Sequence, residues 1–292
     1  MTEPYVIANG LSKAFGSKPV LEGLSFRVAP GDVVGVLGQN GAGKTTLLDV
    51  MLGFSQATSG TIEVFGHGSL RLSAQSKARI GFVPQTDELI RQLRVRDHLR
   101  VIGSFYAHWD DAFIARLTTE WKLGLDERVG EMSVGQRQKL SILLALGHRP
   151  DLLVLDEPVA SLDPLARRQF LRELIEIAAD GNRAVIFSSH IVSDIERLAT
   201  KIWILKDKRL YWDGDFDSLK DSVVRIHVRV NGSGSADAEI PNAVSIDRGD
   251  HHLSAVVQNW SGAAEAELRQ SLGRHFEIEP LTLEEIFLEL TS

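Results

Sequence analysis

The chain has 292 residues, of which 43% are hydrophobic and 24% charged, enough apolar material for one large domain with an appendage or for two domains. A formal net charge of -7 argues against a basic nucleic-acid footprint over the whole chain. With no cysteine there is neither a disulfide framework nor a thiolate metal site, and no apolar run is long enough to cross a bilayer.

The N-terminal MTEPYVIANGLSK has no basic stretch leading into an apolar one, so it does not read as a leader, and any work at a membrane is expected to go through another protein. Short β-like runs follow: Tyr5 to Ala8, Val20 to Val28, and VVGVL from Val33 to Leu37, entered through the turn Pro30-Gly31-Asp32. Directly after VVGVL stands Gly38-Gln39-Asn40-Gly41-Ala42-Gly43-Lys44-Thr45, followed by Thr46 and an apolar helical pattern. This is G-x-x-x-x-G-K-[ST] between strand and helix, the context a phosphate-binding P-loop requires. Gly41 and Gly43 let the backbone curl until successive N–H groups face inward, and the helix adds its positive end at the same point. Lys44 is expected to reach the β- and γ-phosphates of ATP, and the Thr45 hydroxyl to ligate Mg2+.

From about Asp87 to Arg149 the sequence lacks convincing strands and reads as an inserted helical lobe. Within it EMSVGQRQ precedes the apolar helix LSILLAL, with Ser133, Gly135 and Gln136 at the positive end of that helix. Ser133 suits a helix cap as well as an anion site. Next, LLVLDEP places Asp156 and Glu157 at the end of a short strand apolar on both faces, where doubly wound sheets gather ligand-facing groups. Asp156 suits a Mg2+ shell and Glu157 the activation of water. After Leu162-Asp163-Pro164, the spacing of Leu171, Leu174, Ile175 and Ala178 predicts one buried helix face, and AVIF predicts a further buried strand. Three residues that are weak signals alone are Gln85 in FVPQ, Asp163 in SLDP and His190 in SSH.

The order GQNGAGKT, VPQ, MSVGQRQ, LLVLDEP, SLDP, SSH resembles that of the ATP-binding subunits of ABC transporters, over about the first three-quarters of the chain. The resemblance implies an α/β P-loop NTPase core of the ABC ATPase kind, with an N-terminal antiparallel β subdomain. It implies ATP and Mg2+ as cofactors, with Gln85 joining Thr45 and Asp156 at the metal and sensing the membrane partner. Phe15 matches the aromatic that stacks on adenine, although a core aromatic in a strand is the alternative, and His190 matches the switch histidine at the γ-phosphate. MSVGQ resembles LSGGQ, which implies that Ser133, Gly135 and Gln136 serve the nucleotide on a second ATPase subunit, identical or different. Asp163 belongs to the same composite site. Lys44, Glu157 and His190 are the catalytic expectation. Val134 replaces a glycine of that motif, and a positive φ there would strain it.

The family pattern further implies a separate transmembrane permease, hence a position at the cytoplasmic face of the cell membrane, with no nucleic-acid partner. Aromatics in VRDHLRVIGSFYAHW, Arg96 to Trp109, are candidates for permease docking, and LTLEEIFLELT resembles the ending of ATPase subunits in the ABC-2-type export branch. Two other readings of the motifs exist. A non-transport ABC ATPase acting on nucleic acid or ribosomes is expected to carry a long coiled coil or tandem nucleotide domains, and neither is present. A regulatory module that holds ATP without splitting it follows only if Val134 disables the site. Near Asp221 the character changes, so residues 1-220 are expected to form the nucleotide-binding domain and residues 221-292 a small α+β domain. In the latter Val224 to Val230 alternates, strands are expected near Val244 and Leu253, and Ala263 to Leu272 reads as helix. The His251-His252 pair has no partner at a metal-ligand spacing.

Overall fold

In β1 (Val6–Phe15) the alternation of buried and exposed residues fails after Ala8, because its pairing slips. The register against β2 (Lys18–Val28) shifts between Ala8 and Leu11 and twice more before Phe15, and Gly10 takes a φ of 57° at the first shift. Such bulges bend a strand without ending it, so β1 runs well beyond the Tyr5 to Ala8 stretch that its pattern suggests. On its other edge β1 pairs antiparallel with β4 (Ser59–Val64), which continues to the two-residue β5 (His67–Gly68). The order β2-β1-β4-β5 makes the N-terminal antiparallel sheet.

A computed structural model describes residues 3–189, 191–229, 240–249, 252–272 and 276–291. The central six-stranded sheet has the order β10-β9-β3-β8-β7-β6. It is built from β3 (Val33–Gly38), β6 (Ile80–Val83), β7 (Leu152–Leu155), β8 (Ala184–Ser188), β9 (Lys201–Lys206) and β10 (Arg209–Asp215). The pairs β6–β7, β7–β8, β8–β3 and β3–β9 are all parallel. Parallel strands must be covered on both faces, which explains why β7 and β8 are buried along their whole length. β9 and β10 are joined at Asp207 and Lys208, whose φ values of 48° and 67° give the left-handed pair that a tight hairpin needs.

Helix α1 (Lys44–Met51) packs against β2, β3 and β4, and so lies between the two sheets. Val34, Val36, Leu47, Leu48, Val50, Phe26 and Trp203 are among the buried residues of the core there, with the Phe26 and Trp203 rings 4.4 Å apart. Each such side chain contributes roughly 1.5–3 kcal/mol on burial. The short α2 (Ala74–Lys77) precedes β6. Between β6 and β7 come α3 (Val95–Gly103), α4 (Asp111–Glu120) and α5 (Val134–Leu146), with no strand among them. α5 packs on β6, α3 and α4, which seats this helical insertion on the sheet.

α6 (Pro164–Ala179) and α7 (Val192–Leu198) cover β8 and β3 respectively. The face α6 buries matches the expected one at Leu171 and Leu174 but not at Ile175. Ala166, Phe170, Leu171, Glu173, Leu174 and Ile177 are buried, whereas Ile175 is 52% exposed. Phe170 and Ile177 set that face, and Glu173 is buried beside it, where Arg116 of α4 donates to both its oxygens at 2.9 Å.

The chain divides into two compact units, Met1–Asp213 and Gly214–Ser292. The second begins ahead of the compositional change at Asp221, because α8 (Phe216–Ser222) packs with the strand that follows it, β11 (Val223–Arg229). Its antiparallel sheet has the order β12-β13-β11-β14, with β12 (Ala243–Arg248), β13 (His252–Gln258) and β14 (Phe276–Pro280). Val224, Ile226 and Val228 point into a core with Leu253, Val257, Phe276 and Leu268 of α9 (Gly262–Leu272). From the opposite face Arg225 bonds Glu285 and Glu289 of α10 (Leu283–Thr291). His252 is exposed on β13, and His251 lies outside the described residues.

Candidate functional site

At the end of β3 the backbone turns through Gly41 at φ 83° and Gly43 at φ 103°, a conformation that L side chains rarely adopt. A Cβ on Gly43 would also stand 2.8 Å from Leu21 Cδ2 and 3.2 Å from the Val20 carbonyl. Gly43 then caps α1, so the first N–H groups of that helix open into the loop. Lys44 is buried, and its ammonium donates to the carbonyls of Gly38 at 2.7 Å and Gln39 at 3.4 Å. This fixes a cation at the mouth of a nest of N–H donors. The cavity in front of it measures about 370 Å³ and is lined by residues that include Asn40, Thr46, Gln85 and Glu157.

Gly43→Ala is expected to weaken ATP binding by about tenfold or more, the chain remaining folded, since one strained residue costs on the order of 1–3 kcal/mol where it stands. Titration with a fluorescent ATP analogue beside a melting curve checks both halves of that statement.

The acidic pair sits across the cavity from the loop, at the end of β7. Thr45 donates its hydroxyl to Asp156 Oδ2 at 2.7 Å, and Ser188, at the end of β8, donates to Asp156 Oδ1 at 2.6 Å. The Ser188 oxygen in turn accepts the Glu157 N–H at 2.9 Å. Ser188 is wholly buried, Asp156 is 2% exposed and Glu157 is 9% exposed. Glu157 has a φ of 51°, a left-handed backbone that costs roughly 1–2 kcal/mol in a residue of this kind. Such strain persists only where surrounding contacts over-determine it, and the bond to Ser188 is one of those contacts. Ser188 was not among the residues expected from the sequence. Its signal was its place at the tip of a buried strand adjacent to the one carrying Asp156.

Thr45, Asp156 and Gln85 all line the cavity and offer hydroxyl, carboxylate and amide oxygens, the hard donors that Mg2+ takes. Among the described residues no group of three or more His, Asp or Glu side chains could hold a metal unaided.

Ser133 caps α5 in a reciprocal box: its hydroxyl accepts the Gln136 N–H at 3.2 Å, and its own N–H donates to Gln136 Oε1 at 2.8 Å. Ser133 and Val134 are exposed. Val134 occupies the first position of α5 and is not among the residues of positive φ, so the strain envisaged from its replacement of glycine does not arise. Gly135 has a separate reason to lack a side chain, because a Cβ there would lie 2.8 Å from the Ser161 carbonyl. Gln136 also donates to Glu127 at 3.1 Å.

Among the described residues none of the Met132 to Gln138 stretch lines the P-loop cavity. Phe15 is 54% exposed beyond the P-loop cavity lining, with the Lys13 ammonium 4.5 Å from its ring centre, which removes the core-aromatic alternative. Asp163 caps α6, accepting from Leu165 and Ala166. The Ala166 N–H first, and the Lys139 charge after it, hold its carboxyl below the usual carboxylate range. His190 lies outside the described residues.

A glycine loop between a parallel strand and a helix, faced by an acidic pair at the end of another strand of the same sheet, defines a P-loop nucleotide hydrolase. The ABC transporter family profile matches residues 21–160. The chain is 32% identical over 302 residues to the Nod factor export ATP-binding protein I of Paraburkholderia xenovorans (strain LB400), covering 100% of this chain and 98% of that one. It is 36% identical over 216 residues to the bacitracin transport ATP-binding protein BcrA of Bacillus licheniformis, covering 72% of this chain and 69% of that one. Among solved structures, an ATP binding subunit of an ABC transporter superposes with a TM-score of 0.68 at 28% identity, covering 74% of this chain and 92% of the other. The chain belongs to the ABC transporter ATP-binding family and is an ATPase of that family.

Proposed function

We propose that this ATPase hydrolyses ATP in a composite site shared by two subunits and thereby drives a separate membrane permease that exports its cargo. The observation that carries the reading is the separation of two halves of one chemistry: the P-loop cavity lacks the MSVGQ residues, while Ser133 and the start of α5 stand exposed. A second subunit, identical or related, supplies to each P-loop what its own chain keeps elsewhere.

In that site Lys44 and the P-loop N–H groups bind the phosphates. Thr45, Asp156 and Gln85 would hold Mg2+, which when bound would supply positive charge to the phosphate oxygens. Glu157 takes a proton from the attacking water as its oxygen bonds the γ-phosphorus and the bond to the β-phosphate oxygen breaks, leaving ADP and inorganic phosphate. Ser188 ties Asp156 to the backbone of Glu157, Phe15 stacks on adenine, and Asp163 borders the partner, while the resemblance assigns His190 the part of γ-phosphate switch. The start of α5, with Ser133, Gly135 and Gln136, meets the γ-phosphate of the other subunit through its helix N-terminus. ATP thus bridges two chains and closes the pair, and loss of phosphate reopens it.

The permease reads this motion at a groove on the first unit. A cavity of about 670 Å³ runs from Gln85, Thr45 and Asp156 past Phe54, Phe82, Ile90 and Ile102. Phe54 is 66% exposed, Ile90 55% and, near the end of α3, Phe105 76%, more apolar surface than a free monomer needs there. Within the stretch from Arg96 to Trp109 the roles divide. Tyr106 stacks on His148 at 4.0 Å and on Trp109 at 6.0 Å, which commits it to packing the lobe, whereas Phe105 is left for docking.

No helix among the described residues is long and apolar enough to cross a membrane. In this reading the permease contact holds the subunit at the cytoplasmic face. Phe54→Glu and Phe105→Glu are expected to keep the fold and ATP binding while losing co-purification with the permease and its stimulation of ATPase activity. Retention of a stable complex by both variants would place the dock elsewhere.

A further inference from the structure

The segment that follows Gln85 and the segment that leads into Ser133 run side by side. Gly130 N–H donates to the Arg91 carbonyl at 2.9 Å, Val129 N–H to Leu93 at 3.0 Å, Val95 N–H to Glu127 at 3.1 Å and Arg96 N–H to Leu125 at 3.0 Å. Arg94 and Arg128 form an antiparallel bridge in their middle. Nearest the two motifs the backbone bonds give way to one side-chain pair. Arg137, in the first turn of α5, donates from Nε to Asp87 Oδ2 at 2.9 Å and from Nη1 to the Met132 carbonyl at 2.5 Å. The side chains are 14% and 9% exposed. Arg91 stands 3.1 Å from Asp87 Oδ1, yet that oxygen accepts no hydrogen bond of good geometry, so Arg91 supplies charge and Arg137 supplies direction.

A pair this buried gains little stability over two well-packed apolar residues of similar volume. What it adds is a planar, two-ended connection of fixed length: one arm of the guanidinium on the loop just past Gln85, the other on the carbonyl immediately before Ser133. A shift of the Gln85 loop therefore moves the turn that presents Ser133, without crossing the core of the lobe. We infer that Asp87 and Arg137 are positioning residues that couple each subunit's own nucleotide, through Gln85, to the presentation of Ser133 to the nucleotide of its partner. The inference rests on the cross-subunit reading of Ser133 and adds to it a route by which the two sites of a pair act cooperatively.

The test uses Asp87→Asn, Arg137→Gln, the double variant and Arg137→Lys in the full chain with its permease. Melting temperature, ATP affinity, kcat and the Hill coefficient for ATP are compared. Each single change is expected to leave ATP affinity within about twofold, to lower kcat by roughly tenfold and to bring the Hill coefficient toward the non-cooperative limit, a coupling of ordinary size for such networks. The double variant is expected to be no worse than the poorer single one. Arg137→Lys keeps the charge and loses the fork, so it is expected to keep the melting temperature and lose the cooperativity. Wild-type cooperativity in a folded Arg137→Lys or Asp87→Asn chain overturns the inference, whatever happens to the melting temperature. Absence of cooperativity in the wild type would instead strike at the two-subunit reading itself.

Discussion

Glu157→Gln is expected to bind ATP as the wild type does and to split it at least about 100-fold more slowly, a barrier higher by roughly 2.7 kcal/mol. Binding rests on the P-loop N–H groups and Lys44, and the backbone of Glu157 is held by its own N–H, which donates to Ser188. Glutamine has the same length and keeps that backbone bond and the left-handed φ of 51°. What it lacks is a carboxylate able to accept a proton from water. Rapid-quench measurement of phosphate release, beside equilibrium ATP binding, separates the two effects. Turnover close to normal would remove Glu157 from the role of base and leave water activation to the phosphate itself.

The strain at Glu157 has a counterpart in the polar chain beside it. Thr45, Asp156, Ser188 and the Glu157 N–H form one connected run of hydrogen bonds from the start of α1 to the end of β8. Each member fixes the next, so Asp156 and the backbone of Glu157, adjacent in sequence, are tied to one hydroxyl. The two roles proposed above for these carboxylates require that they be held apart, since a shared orientation would place both on one ligand. The cost is paid in backbone conformation and is offset by bonds in a region where water does not compete.

How much of this the sequence discloses depends on whether a position speaks through its own identity or through its neighbours. Gly41, Gly43, Lys44 and Thr45 are legible because only a few residue types suit a loop that turns its N–H groups inward. LLVL and AVIF are legible because strands covered on both faces have no polar side. On α6 the expected face holds at Leu171 and Leu174 and fails at Ile175, because Phe170 and Ile177 set the phase of the buried stripe. β1 was cut short at Ala8 because bulges break alternation, and β4, with only Ile62 and Val64 turned inward, is too brief to establish a period. Ser188 escaped for a third reason, being a common residue whose importance is set wholly by two neighbouring strands. Val134 shows the reverse error: a glycine-to-valine exchange reads as strain until the residue is found at the first position of a helix, where φ is negative and the side chain is solvent-exposed.

Ser133→Asp is expected to separate the two duties of that residue, because they respond to it with opposite sign. As a helix cap aspartate equals or betters serine, and losing the cap altogether would cost about 1 kcal/mol, so α5 and the melting temperature should be preserved. As a phosphate contact it sets a carboxylate against the γ-phosphate, and hydrolysis should fall by roughly 100-fold or more while the chain's own P-loop binds ATP unchanged. Ser133→Arg reaches the same end through bulk, with the cap lost as well.

The decisive arrangement is a purified mixed pair, one chain carrying Ser133→Asp and the other Lys44→Ala. If Ser133 serves the opposite subunit, one of the two sites then combines an intact P-loop with an intact Ser133 and hydrolysis returns at that site. If Ser133 served its own P-loop, neither chain would hold a complete set and the mixed pair would stay as inactive as each variant alone. Phosphate release from that pair therefore reads directly which chain the start of α5 faces.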